Sequence, residues 1–401
     1  MKRMLSSAVW VVVLGGLCFP EPVGEDGARL AAAVVVKAEK ARWDSGASPA
    51  PYGQKAAVPA VASLHSLLNS KGIPIAYVVR VQPEGFVVVS TDTDLPPIVC
   101  FSLVGQFPFA DSPDNALLHL VRRDMELRTR ALRHLTRAEK RENNRLWQSY
   151  RTAAAGLLSE LQKATQYGPL LKTHWHQNDP FNKYCPIDPA SSNRARCLVG
   201  CGATAASQIL FYWKYPPSLN FGPADAYISN ASAHSRINID ADHKLLDFPS
   251  FEVLNAALGQ IAYDGDEDEI AYLCFGVGVK QQTQYSSGAS STDSYVRYEV
   301  YKSTLGYRSA RYILNQGPAF LWDIQTNIKA GRPVDLWIGS QMGNHFVVVD
   351  GFRQKKKMPY HINFGWGAQF DAWYYLPPRK VGGYRFNVIN FAIVDLQPPA
   401  N

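Results

Sequence analysis

The stretch Gly200-Cys201-Gly202-Ala203-Thr204-Ala205 runs on through the apolar Ile209, Leu210, Phe211, Tyr212 and Trp213 and is closed by Pro216 and Pro217. Small residues, then apolar ones, then two prolines specify a helix with Cys201 in its first turn and Pro216 just past its end. A thiol there lies beside unpaired backbone N–H groups and the positive end of the helix macrodipole. Both favour thiolate over thiol, so the position makes a nucleophile. Most free cysteines are instead small buried hydrophobes. The glycines flanking Cys201 argue against that reading, because they leave room for a second backbone or a substrate to approach the sulfur.

A thiol nucleophile needs a base and an oxyanion donor. Segments 333–338, 345–350 and 360–364 are apolar runs separated by Gly-containing or Lys-rich turns, which predicts a meander of antiparallel strands. In such a meander the start of the second strand lies beside the end of the third. His345 and Asn363 are therefore expected as neighbours, within about two residues of register. His345 would take the thiol proton and later protonate the leaving amine. Asn363 would hold the imidazole through its other ring nitrogen. Gln177 offers a side-chain N–H that would join the backbone N–H of Cys201 in an oxyanion hole, where losing one donor costs about 3–4 kcal/mol of barrier. His361 competes with His345 for the role of base. His174 and His176 with Cys185 and Cys197 form an alternative metal set, but without the CxxC or HExxH spacing of a zinc site. Neither a metal nor a cofactor is expected.

Upstream, segments 73–81 and 86–92 read as a hairpin across Pro83-Glu84-Gly85, with a third strand at 97–103. Leu118, Val121, Met125, Leu132 and Leu135 fall on one helical face, and the pattern resumes through Leu146, Tyr150, Ala153, Leu157 and Leu161. The chain divides into a signal peptide at 1–24, a small α+β domain at 25–136, a basic helical connector at 137–165 and a second α+β domain at 166–401. The net charge of +7 is concentrated: residues 121–163 hold 11 Lys/Arg against 5 Asp/Glu. That is a solvated helix face without the aromatic interleaving of a nucleic-acid groove, so no nucleic-acid partner is expected. Lys2 and Arg3 before the apolar segment 8–19 read as a secretory signal cleaved within 20–31. The segment is too short to span a bilayer, so a secreted chain without stable membrane insertion is expected. Export permits disulfides, and Cys185 with Cys197 would be the pair if one exists.

The motifs then add up. In order they are Leu170-Leu171, Trp175-His176-Gln177, Pro180-Phe181-Asn182, Cys185-Pro186, the Cys201 helix, and Gly331-Arg332-Pro333-Val334. Gly343-Asn344-His345-Phe346 and His361-Ile362-Asn363-Phe364-Gly365-Trp366-Gly367 follow. In this order and spacing the second domain resembles the streptopain family of secreted bacterial cysteine peptidases, papain-like enzymes made as inactive precursors. The first domain resembles that family's propeptide, most clearly in Gly85-Phe86-Val87-Val88-Val89-Ser90-Thr91-Asp92.

The resemblance implies a papain-like peptidase domain behind a small α+β propeptide. Cys201 would be the nucleophile and His345 the base, with Gln177 and Asn363 near the active centre. The partners implied are protein or peptide substrates, with an apolar preference, and the chain's own propeptide as intramolecular inhibitor, removed by cuts within 137–166. The family's loop matching 285–291 borders the cleft, which makes Ser287 and Ser290 candidate substrate contacts, with Asn344 and Trp366. Three positions depart from the family pattern. Gly202 replaces valine and should loosen the helix start, Phe364 replaces a tryptophan that shields the histidine, and Asn344 replaces glycine and should narrow the cleft. The departures keep two other readings open: an inactive homologue that binds or inhibits, and another acyl transferase built on Cys, His and Asn.

Overall fold

The valine-rich runs of the first domain show no polar alternation because both of their faces are covered. The computed structural model describes residues 22–47, 58–112, 115–232, 235–339, 344–354, 359–376, 380–381, 384–385 and 388–400. In it the runs form β2 (Pro74–Gln82) and β3 (Phe86–Ser90), flanked by β1 (Ala60–Leu68) and β4 (Ile98–Ser102). Phe86 and Val88 of β3 join a core with α2 (Ala116–Ala131), while Val87 and Val89 join one with α1 (Glu25–Asp44). β1 has no counterpart in the expected elements, since it is an edge strand with little buried surface to pattern it. Residues 1–21 of the expected signal lie outside the described residues. Pro22 bridges to Asp92, and the Val23 N–H donates to the Thr91 carbonyl at 2.9 Å.

The basic segment packs as part of this first domain. α3 (Arg137–Arg151) opens on a capping box between Thr136 and Glu139. Together with α4 (Ala155–Lys163) it buries Trp147, Tyr150, Leu157 and Leu161 against α1. The Arg42 guanidinium of α1 donates to the carbonyls of Gln162 at 2.9 Å and Ala164 at 2.8 Å, closing the far end of α4.

The second domain begins with β5 (Thr165–Tyr167) and α5 (Cys201–Trp213), then β6 (Ile228–Ser232), β7 (Ser235–Asn238), α6 (His243–Leu246), α7 (Phe251–Leu258) and α8 (Glu267–Lys280). α9 (Ser294–Glu299), β8 (Ser309–Leu314) and α10 (Pro318–Lys329) lead into β9 (Val334–Gly339), β10 (Asn344–Gln354) and β11 (Tyr360–Asn363). β12 (Ala372–Tyr374), β13 (Lys380–Val381), β14 (Tyr384–Arg385) and β15 (Ile389–Gln397) complete the order. The architecture is α+β, as expected from the resemblance.

Among the described residues the main sheet runs β1-β2-β3-β4-β12-β11-β10-β9-β15-β8, with β5 on β10. Both domains therefore share one sheet. Its join is the antiparallel pair β4 and β12, with Phe101 opposite Trp373 and Cys100 opposite Tyr374. On β10, Val347 and Val349 enter the core under α2 and α10, while Phe346 and Val348 enter the core under α5 and α8. Across the seam the Arg353 guanidinium forms a bidentate pair with the Glu39 carboxylate, 2.7 Å on one arm, and stacks 4.0 Å from the Trp373 ring.

The expected meander of β9, β10 and β11 is present, but its register differs. Asn363 pairs with Val348, three positions from His345 rather than within two. The cause is strand length: β11 is 4 residues against 11 in β10, so the beginning of β10 outruns its partner.

Candidate active site

The helix start is built from glycine. Gly200 is the N-cap of α5 with φ of 89°, a left-handed conformation that L side chains resist, and no side chain caps the helix. A Cβ there would also lie 3.2 Å from the Ser290 Cβ. The first-turn N–H groups, that of Cys201 included, are left for a ligand. Cys201 itself is half-buried.

His345, near the start of β10, stands beside Cys201, close enough for its charge to act on the sulfur. Burial would raise the Cys201 thiol. The adjacent His345, the Phe346 backbone N–H and the Arg297 guanidinium together outweigh burial and hold the thiol below its ordinary value. The other described cysteines go the opposite way. Burial pushes Cys100, Cys185 and Cys197 up, and Cys274 up to about 12. Reactivity follows the thiolate, so this contrast singles out Cys201.

Comparison with known proteins accords with this geometry. Residues 175–374, which carry both groups, match the Peptidase C10 family. Streptopain of Streptococcus pyogenes serotype M1 is 25% identical over 353 residues, 80% of this chain and 80% of that protein. The chain belongs to the Peptidase C10 family. It is a cysteine-type peptidase of the streptopain family. The thiol protease/hemagglutinin PrtT of Porphyromonas gingivalis is 24% identical over 304 residues, 74% of this chain and 33% of that protein. In fold the chain resembles a prointerpain A fragment of Prevotella intermedia at a TM-score of 0.56 and 19% identity, covering 84% of this chain and 99% of that one. That likeness shows a papain-like fold.

In this peptidase the group that orients His345 is not the expected one. His345 Nε2 lies 2.9 Å from the Phe364 carbonyl oxygen. A carbonyl can only accept, so Nε2 carries the proton and Nδ1 of the neutral ring is the one able to accept from the sulfur. The Phe364 backbone is held on its preceding peptide too, where its N–H donates to Asp371 Oδ1 at 3.0 Å. Asp371 is buried and was not singled out in the sequence, since an aspartate seven residues past a turn carries no distinctive signal.

Asn363 does not touch His345. Its Oδ1 accepts from Gln208 Nε2 at 3.1 Å and from the Gly365 N–H at 3.0 Å, and its Nδ2 donates to the Thr173 carbonyl at 2.9 Å. Thr173 in turn donates to Gln208 Oε1 at 2.7 Å. Asn363 thus braces β11, α5 and the segment entering the site. The short β11 accounts for the change: it ends at Asn363, and the residue that meets the His345 ring is the next one, Phe364.

Gln177 is buried, and its carbonyl accepts from the Val199 N–H at 3.0 Å, which lays it alongside the approach to Cys201. Two aromatic rings flank His345: Trp366 at 6.2 Å and 21°, and Phe364 at 6.4 Å and 17°. Trp366 also meets His176 edge-on at 4.8 Å. Asn344 is exposed at the head of β10.

The loop 285–291 borders the nucleophile, but its serines are turned to structural use. Ser290 is buried and donates to the Leu198 carbonyl at 2.7 Å, while Ser287 Oγ donates to Asp188 Oδ2 at 2.8 Å. Gly288 and Ala289 are the exposed tip between them. His361 is not the base: its Nδ1 lies 2.6 Å from Asp350 Oδ1. The alternative metal set is dispersed, with Cys185 and Cys197 in the core, His176 against Trp366 and His174 facing Asp371 at 3.5 Å. Cys185 and Cys197 are both free.

Proposed function

We propose that this peptidase is an exported endopeptidase made as a zymogen, with Cys201 as nucleophile and His345 as general base and acid. The Cys201 sulfur attacks the scissile carbonyl carbon as its proton passes to His345 Nδ1. The oxyanion is received by the Cys201 backbone N–H and the Gln177 side chain. Collapse breaks the C–N bond, and His345 returns the proton to the departing amine. Water, deprotonated by His345, then hydrolyses the thioester and restores the thiol. The observation that carries this reading is the placement of Cys201 beside His345 at an uncapped helix start, with the thiol held below its ordinary value.

Segment 25–165 is assigned as the inhibitory leader. It docks through the pairing of β4 with β12 and through the Glu39–Arg353 pair. Within 137–165, Thr152 and Ala153 form an exposed turn between α3 and α4 and are the favoured place for a cut. Docking of Pro22 and Val23 on the leader favours signal cleavage before Pro22.

The test compares purified full-length wild type with Cys201→Ala and His345→Ala. On incubation the wild type should lose its leader and cleave casein, while both variants stay near full length. Leader loss at the wild-type rate in Cys201→Ala would overturn the reading.

A further inference from the structure

Gly202, where the streptopain family usually has valine, leaves a space that a charge fills. Arg297 of α9 is fully buried, and a Cβ on Gly202 would lie 2.6 Å from its Nη1. The guanidinium carbon stands 4.1 Å from the centroid of the Phe346 ring. Gly202 follows Cys201 and Phe346 follows His345, so this one side chain abuts both reactive residues at their next neighbours. Its Nη2 pairs with Asp335 of β9, and its Nη1 donates to Gln281 Oε1 at 3.0 Å. Tyr301, just past α9, donates to Asp335 Oδ2 at 3.2 Å.

Stability does not account for this cluster. A buried ion pair seldom outperforms well-packed apolar side chains of the same volume. Arg297 Nε, Asp335 Oδ1 and Gln281 Nε2 are buried without a hydrogen-bond partner, which adds desolvation cost. An incompletely satisfied ionic cluster pressed against a reaction centre breaks the packing rules in the place where function most often does so. A neighbouring cation stabilises a thiolate.

We propose that Arg297 is a positioning residue for the peptidase reaction: through the gap at Gly202 it braces the Cys201 helix against the His345 strand and presents a fixed positive charge to the sulfur. This rests on the Cys201–His345 reading of the site. Burial opposes the thiolate, and the charge of Arg297 adds to that of His345 in favouring it. The charged groups acting on Cys201 are His345 from β10 and Arg297 itself; Arg297 is faced in turn by Asp335 from β9, with Tyr301 past α9 on the same carboxylate and Gln281 as a neutral neighbour.

The experiment follows iodoacetamide alkylation of Cys201 against pH in the full chain, with peptide mapping, and a thermal melt on each variant. In Arg297→Met the midpoint should rise by about one pH unit, and the rate at pH 5 should fall about tenfold. Arg297→Lys, which keeps the charge, should recover most of that rate. The double variant Arg297→Met with Asp335→Leu leaves no unpaired buried charge and decides the matter where the single variant unfolds. It should melt cooperatively and still show the raised midpoint. A folded double variant with the wild-type midpoint would overturn the proposal while leaving the dyad intact. A wild type with no fast alkylation at acid pH would instead overturn the dyad on which it stands.

Discussion

His345 is fixed by the carbonyl of Phe364, and a backbone acceptor leaves no mark in a sequence. Asn363, one residue away, carries the side chain that chemistry would choose for the task, which is why it stood out. Its three partners instead make it a cross-brace among Thr173, Gln208 and Gly365. Asn363→Ala should therefore act on stability, costing about 2–4 kcal/mol through the buried groups it strands, with kcat of the folded fraction falling less than about tenfold. Melting curves and active-site titration check this, and a large kcat loss at unchanged stability would return Asn363 to the mechanism. Gln177→Ala should do the reverse, lowering kcat about 100- to 1,000-fold with little change in melting. His361 supplies a pH dependence. Burial disfavours its charged form, but the Asp350 carboxylate overrides this and raises its value above 6.5 in the fold. The stabilisation is complete below the unfolded value and lost as pH rises through the raised folded one. Melting temperature should fall as pH rises through that interval above 6.5, and His361→Gln should flatten the fall.

Among the elements, the Cys201 helix was legible because small residues, apolar periodicity and terminal prolines coincide. So were β2, β3 and β4, whose apolar runs need no partner to be recognised. What they pair with was not: the β4–β12 join links Phe101 to Trp373, and nothing in either segment names the other. The basic charge of α3 suggested an exposed connector, yet Trp147 and Tyr150 on its inner face, with Leu157 and Leu161 of α4, bind the segment to α1. Gly202 was visible as a departure, but the buried Arg297 that it accommodates lies 95 residues on and had no sequence signal of its own. The Glu39–Arg353 pair spans the seam between the N-terminal segment and the peptidase domain, and Glu39→Ala would leave Arg353 without its carboxylate, a loss of up to about 3–5 kcal/mol in docking on the proposed leader reading. Leader removal, followed on gels, should then run several-fold faster than in wild type. An unchanged time course would place the latch elsewhere.

At the scale of the whole molecule, one sheet carries both the N-terminal segment and the peptidase domain, and one core joins α2 of the former to α10 of the latter. Neither part can loosen without exposing apolar surface of the other. The Cys201→Ala precursor should accordingly melt in a single calorimetric transition, and two resolved transitions would contradict the shared core. All of this serves to bring a sulfur and an imidazole, 144 residues apart, to one point. The most direct measurement is acid quench of the matured enzyme during turnover of a peptide ester, followed by peptide mapping. The acyl mass is predicted on the Cys201 peptide and absent from His345→Ala. Turnover with the acyl group on another residue, or with none trapped at Cys201, would contradict the account.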